Sequence, residues 1–351
     1  MAENENKHLT PVWIVYVDGR RLDTDHEGAL QRIIVDDRIN GIGECTLEFD
    51  TSAVKLLDAG IFNYESEVSI HLGYKDDCEK VFSGDVTSME VELLEYGHEQ
   101  LRITCSNCLY KLKNARRSTS FEGKKLSDVL KETLDTYSLQ GKIDDFGSKK
   151  EYSTEIGESD YDYLMNAARY YGKTVYAYES TVYVKDEVTI ASDDIILEWG
   201  KSLISFKAEG SIKNQLSDCT FVGWDAEKCE AITGTAGIGD LKLKVGGGKS
   251  WKDNAKNAAG IWKSIIVTDD LLDNDDAKNR ALAEVYNHSM CFQTGVGKCE
   301  GNYKVHPGMR VSIKYVGKKY SGEYIADRVI HTFNTSGAFI TEVYVKRNMS
   351  E

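Results

Sequence analysis

Proline is nearly absent from this chain: Pro11 and Pro307 are the only two in 351 residues. With no low-complexity tract either, long disordered linkers are not expected. No apolar run reaches the roughly 18 residues of a membrane-crossing helix, so stable membrane insertion is not expected. The opening residues, Met1 to His8, are polar and lack the apolar centre of a secretion signal. Synthesis and folding in the bacterial cytoplasm are the expectation. Positive charge is outnumbered, 43 Lys and Arg against 57 Asp and Glu, for a net charge of −14. That balance disfavours a protein that wraps duplex phosphates, so sequence-specific nucleic-acid binding is not expected.

Familiar catalytic patterns are missing too. There is no His-Glu-x-x-His and no Gly-x-Ser-x-Gly. Gly246 to Ser250 has the end of a phosphate-binding loop, but Leu243 stands where that loop needs a glycine. Gly234, Gly237 and Gly239 do not match the dinucleotide fingerprint and read as a flexible loop. The seven histidines are scattered without ligand spacing, and His331 reads as a strand residue that packs or hydrogen-bonds locally. Acidic runs such as Asp269-Asp270 read as solvated faces. Cys105 and Cys108 have zinc-knuckle spacing but no second tight pair. They lie on a strand, not at the helix start that would lower a redox thiol's pKa. The eight cysteines read as free buried thiols. No catalytic, cofactor or metal site is expected.

Several patterns are informative. At 351 residues the chain exceeds one core, so two or three domains are expected. A hydrophobic content of 41%, with 20 Tyr and 5 Trp, is ample to fill them. Residues 10 to 112 alternate apolar and polar in short runs separated by turns, as in a barrel or sandwich. Leu126, Val129, Leu130, Leu134 and Tyr137 share a helical face. A second helix starts at Ser159, with Asp162 completing a capping-box pattern, and ends at Gly172. Thr174 to Lys185 reads as a hairpin, and Asp276 to Ser289 as a further helix. Pro307-Gly308 marks a turn before an alternating strand, and Asn334 to Gly337 a hairpin loop.

The end of the chain carries a signature of order and spacing. It runs Pro307-Gly308, Tyr320-Ser321-Gly322-Glu323-Tyr324, Ile330-His331-Thr332-Phe333, then Thr341 to Arg347. It resembles the C-terminal signature of the phage late control protein D family. These are baseplate hubs of contractile tails, related to the N-terminal part of type VI secretion valine-glycine repeat spike proteins. Further segments add to the resemblance. They are Phe82-Ser83-Gly84, Asp160 and Leu164 before Gly172, Gly200 before Leu203 and Phe206, and Gly223 in Val222-Gly223-Trp224.

The resemblance implies a fold that is mainly β with an α+β peripheral domain. It implies two small β-barrels per subunit, assembling as a trimeric pseudo-sixfold ring. Residues 1–112 would form the first barrel, 199–232 and 300–351 the second, and 113–198 with 233–299 the peripheral domain. The implied function is a baseplate hub that adapts a sixfold tail tube to a threefold spike, in a phage tail, a bacteriocin-like particle or another contractile injection system. The implied partners are itself as a homotrimer, the tail tube protein, other baseplate proteins, the tape measure protein and a spike. Because the chain stops at Glu351, the spike is expected on a separate polypeptide. The alternative is a cell-wall-degrading or carbohydrate-binding tail protein. The family-motif glycines, Gly84 and Gly322 above all, are expected to serve backbone bends within strands.

Overall fold

The computed structural model describes residues 10–50, 53–75, 77–114, 116–147, 152–186, 195–255 and 262–350. The first part holds strands β1 (Pro11–Val17), β2 (Arg20–Arg21), β3 (Leu30–Arg38), β4 (Glu44–Asp50), β5 (Glu67–Tyr74), β6 (Asp77–Leu93) and β7 (Glu99–Ser106). Two short helices, α1 (Thr24–Ala29) and α2 (Ala53–Asp58), interrupt them. Strand alternation sets the inward face: Ile33, Val35, Leu47, Val68, Ile70, Leu72 and Ile103 are fully buried in one core. Each such side chain contributes about 1.5–3 kcal/mol by leaving water.

The middle of the chain builds separate layers. Strands β8 (Arg116–Glu122) and β10 (Tyr152–Ser159) pair with each other. A three-stranded sheet of β9 (Gln140–Ile143), β11 (Thr174–Tyr178) and β12 (Thr181–Lys185) packs under α3 (Leu126–Asp135) and α4 (Asp160–Tyr170). Ser159 caps α4 as expected, its hydroxyl accepting from Asp162 N at 3.1 Å. After β13 (Ile195–Glu198) and β14 (Leu203–Gly210) comes a second three-stranded sheet. It comprises β15 (Asp218–Asp225), β16 (Glu230–Gly237) and β17 (Lys263–Val267), and it packs on α6 (Asn274–Ser289). The four-residue α5 (Trp251–Asn254) brings Trp251 into a stack with Trp262, ring centroids 4.8 Å apart. The chain closes with β18 (Gln293–Glu300), β19 (Arg310–Lys314), β20 (Gly322–Asn334) and β21 (Ala338–Arg347).

Residues 234–239, expected as a loop, mostly belong to β16. A Cβ on Gly234 would lie 2.1 Å from Lys278 N, so this glycine lets α6 press onto the sheet. Its missing side chain serves close packing and not flexibility.

The two closed barrels do not form. Thirteen strands make one open sheet, ordered β14-β18-β21-β20-β3-β4-β7-β6-β5-β1-β2, with β19 on β20 and β13 on β19. The expected ring of six barrels from three copies falls with them. The physical reason is that a strand has two hydrogen-bonding edges. Those of β3 are taken by β4 and β20, which leaves none for β1 to close upon. At the other end, β13 and β14 meet only at the Trp199–Leu203 bridge. Strand β20 serves two neighbours along one edge, β19 over Gly322–Ile325 and β3 over Arg328–Asn334. A register shift between Ala326 and Arg328 separates the two stretches.

The β3–β20 seam carries half-buried charge. Arg328 holds Asp36 through two hydrogen bonds, its Nε 2.6 Å from Oδ1, and Arg38 adds a third at 2.9 Å. The next carboxylate, Asp37, points inward. It accepts from the Tyr176 hydroxyl at 2.7 Å and from Arg38 N at 2.9 Å. Asn40 and Val175 exchange two hydrogen bonds of 2.8 Å beside it, so the end of β3 pins the α+β layer to the large sheet.

Burial pushes the Asp37 carboxyl up to about 7, because desolvation outweighs its hydrogen bonds. The unfolded chain loses this proton near pH 4 while the folded chain keeps it to about 7. The contribution of Asp37 to stability therefore falls as pH rises through that window. In denaturation at pH 4.5 to 7.5, Asp37→Asn should gain on the wild type by up to about 1.4 kcal/mol per pH unit. A constant difference between the two proteins across the window would show that Asp37 ionises normally.

Candidate functional site

The signature residues at the end of the chain converge on β20 and β21, where they form two buried polar clusters. Both hold segment 301–322 against the sheet. The first centres on Arg347, which is fully buried at the end of β21. Its Nε donates to Gln293 Oε1 at 2.7 Å, and its other nitrogens to Ser321 O at 2.9 Å and Lys319 O at 2.8 Å. The guanidinium lies 4.3 Å from the ring centre of Tyr324, whose hydroxyl donates to Tyr320 O at 2.7 Å. One cation thus gathers the carbonyls of the β19–β20 turn onto the last strand. The turn is followed by Gly322, at φ +124°, a backbone state that side chains rarely adopt.

The second cluster centres on His331, buried on β20. Its Nε2 lies 3.2 Å from Val305 O, and its Nδ1 3.0 Å from Thr341 Oγ1. A carbonyl can only accept, so Nε2 carries the proton and the Thr341 hydroxyl donates to Nδ1. The same hydroxyl oxygen accepts from Asn302 N at 2.8 Å. Burial lowers the His331 pKa to about 3, so the ring is neutral and is no general base near neutral pH. Pro307-Gly308 forms the next turn, with Gly308 at φ +85° and its N–H donating to Ala326 O at 2.7 Å.

The other motif residues lie apart from these clusters. Gly84 sits on β6 between register shifts, and a Cβ there would be 2.3 Å from Ser106 O. Gly200 turns the chain between β13 and β14 at φ +81°. Gly172 follows α4 at φ +65°, where a Cβ would lie 3.3 Å from Ala283, and Gly223 lets the 268–271 loop approach β15. Asp160 accepts from the Tyr137 hydroxyl at the start of α4, and Leu164 is core.

Sequence reading missed Gln293, Asn302, Asp37 and Tyr176. The side-chain partners that tie them in are 39 to 139 positions away, a separation that no local pattern registers. It also missed Arg280, which is buried on α6 and doubly bonded to Asp270 at 2.8 and 2.9 Å. A cleft of about 430 Å³ is lined by Phe146, Tyr171, Lys173, Leu243 and Tyr286 among others. Its two carboxylates, Asp145 and Asp186, are each bound by a lysine, Lys125 and Lys173. Among the described residues, no three His, Cys, Asp or Glu side chains are grouped to hold a metal. Five cysteines are buried, whereas Cys229 and Cys291 are exposed, which corrects their reading as interior thiols. Burial pushes Cys105 and Cys108 up to about 12, the reverse of a reactive pair.

The arrangement orders backbone and presents no reacting group. Thr341→Val should cost about 1–3 kcal/mol, because it strands the His331 Nδ1 and the Asn302 N–H without partners. Thr341→Ser should stay near the wild type. Chemical denaturation of both variants checks this, and equal stability of Thr341→Val would refute the cluster's role.

Comparison with known proteins then places the fold. Residues 7–335 match the family described as the Alg8 N-terminal domain. No curated protein matches the sequence. The prophage MuSo2 43 kDa tail protein from Shewanella oneidensis superposes with a TM-score of 0.71 at 11% identity, over 97% of this chain and 99% of that one. A tail protein from Neisseria meningitidis MC58 gives 0.69 at 13% identity, over 97% of both chains. An E. coli component of the type VI secretion system, described as similar to the T4 tail proteins gp27 and gp5, gives 0.61 at 7% identity. That match covers 96% of this chain and 78% of the other. The resemblance read from the motifs therefore holds at the level of fold.

Proposed function

This chain belongs to the Alg8 N-terminal domain family, and we propose that it is a structural baseplate hub of a contractile tail or injection particle. The observation that carries the reading is the extent of the fold match, nearly end to end on both chains with two tail proteins. The internal chemistry agrees with it. The buried polar groups of the signature hold strands and turns in place, and the neutral His331 lacks the pKa of a proton carrier. A hub must be stiff and must present fixed surfaces, which is what buried hydrogen-bonded clusters supply.

In this reading three copies surround the particle axis and adapt a sixfold tube to a threefold spike. The tube protein and spike lie above and below, with other baseplate proteins and the tape measure protein as further neighbours. The large sheet faces the axis, and α3, α4 and α6 with their two three-stranded sheets lie outside it. The chain acts as part of the assembled particle, without an enzymatic step.

An averaged map of intact particles should show three copies on the axis at the junction of tube and spike. Six copies, or a peripheral position, would refute the hub reading. Purified protein should also leave the turbidity of a peptidoglycan suspension unchanged. Clearing would favour the cell-wall-degrading alternative.

A further inference from the structure

The β6–β7 hairpin extends past the core that its base covers. From Glu90 to His98 every residue is exposed. Its apolar residues are Val91, Leu93, Leu94 and Tyr96, the last 96% exposed and held at φ +64°. A non-glycine residue in that backbone state is strained, and here it displays a large aromatic ring to solvent. Glu92, Glu95 and Glu99 lie among them in the hairpin, Glu90 at its base is paired to Arg102 at 3.0 Å, and no Lys or Arg lies between Lys80 and Arg102. The tip is thus an apolar knob with a rim of carboxylates.

The opposite character appears in the other half of the sheet. At the corner joining β13, β14 and β19, the side chains of Ile196, Trp199, Ile204 and Tyr315 are 44%, 51%, 49% and 70% exposed. The Trp199 N–H donates to Lys314 O at 3.0 Å, and Trp199 bridges to Leu203, so turn and loop form one surface. Lys314, Lys318 and Lys319 belong to β19 and the turn that follows it, and Lys201, in the turn before β14, is paired to Glu198 at 3.1 Å. Both patches are exposed within one copy, so they do not cover each other there.

We propose that the β6–β7 tip of one copy docks on the β13–β14–β19 corner of the next copy of this chain. Apolar side chains meet at the centre, and glutamates face lysines at the rim. The two surfaces differ, so the contact is head-to-tail, and it closes into a ring when the rotation per copy allows. The number of copies rests on the hub reading, whereas the contact itself rests on these two surfaces.

Charge reversal tests it in the full chain. Glu92→Lys with Glu95→Lys reverses the tip, and Lys318→Glu with Lys319→Glu reverses the corner. All four positions are exposed, so each double variant should unfold at the wild-type temperature. Each should lower the yield of particles by about tenfold or more, and the fourfold variant should recover most of it. A fourfold variant no better than the worse double variant would overturn the proposal. So would a corner variant that assembles normally, which would assign the tip to a different protein. Absence of the wild-type chain from purified particles would instead sink the hub reading. The contact is then read from sedimentation of the purified protein at low salt. Concentration-dependent association, lost in both double variants and regained in the fourfold one, supports it. A wild type that stays monomeric throughout overturns it.

Discussion

The pairing of β3 with β20 is the constraint from which the rest of the architecture follows. Leu30–Arg38 is nearly three hundred positions from Gly322–Asn334, yet seven residues of each run side by side in register. That ladder consumes the free edge of β3, forbids barrel closure in the first half and fuses both halves into one sheet. The cores interlock across it: Tyr303, Phe333 and Phe339 from the end of the chain lie in the core of the beginning. The Tyr74 hydroxyl donates to Gly301 O at 2.7 Å across the same join.

Charge is placed at this seam where it restricts alternatives. Asp36 alternates with inward Val35 and Asp37, so a slip of one residue would bury the wrong carboxylate and strand Arg328. The adjacent Asp37 ties the seam to Tyr176 of the α+β layer. One short stretch of β3 therefore orients three layers. A half-buried pair of this kind adds little net stability but penalises registers that leave either charge unpaired.

Below neutral pH, the displaced titrations of Asp37 and His331 oppose each other. Asp37 stays protonated in the fold up to about 7, whereas His331 stays unprotonated down to about 3. Between about pH 4 and 6.5, acidification strengthens the fold through Asp37. It weakens the fold through His331, because only the unfolded chain takes up the histidine proton there. The slopes are each of one proton and opposite sign. Over that range the sheet gains a stability less dependent on pH than either group alone would give.

Local patterns set the strands of the first hundred residues, the helices at Leu126, Ser159 and Asp276, and the turns at Gly308 and Gly337, because each is decided by neighbours within a few positions. Arg347, His331 and Thr341 stood out by spacing, but what they hold did not, since Gln293, Asn302 and Val305 approach them only in the fold. Gly234 was misread for the same reason: a missing Cβ signals flexibility or close packing alike, and only the position of α6 distinguishes them. Closure was the largest difference. Alternation specifies which face of a strand is buried and leaves its two edges open. Which strand occupies an edge is decided by long-range pairing, and here β20 occupies the edge of β3 that closure would need.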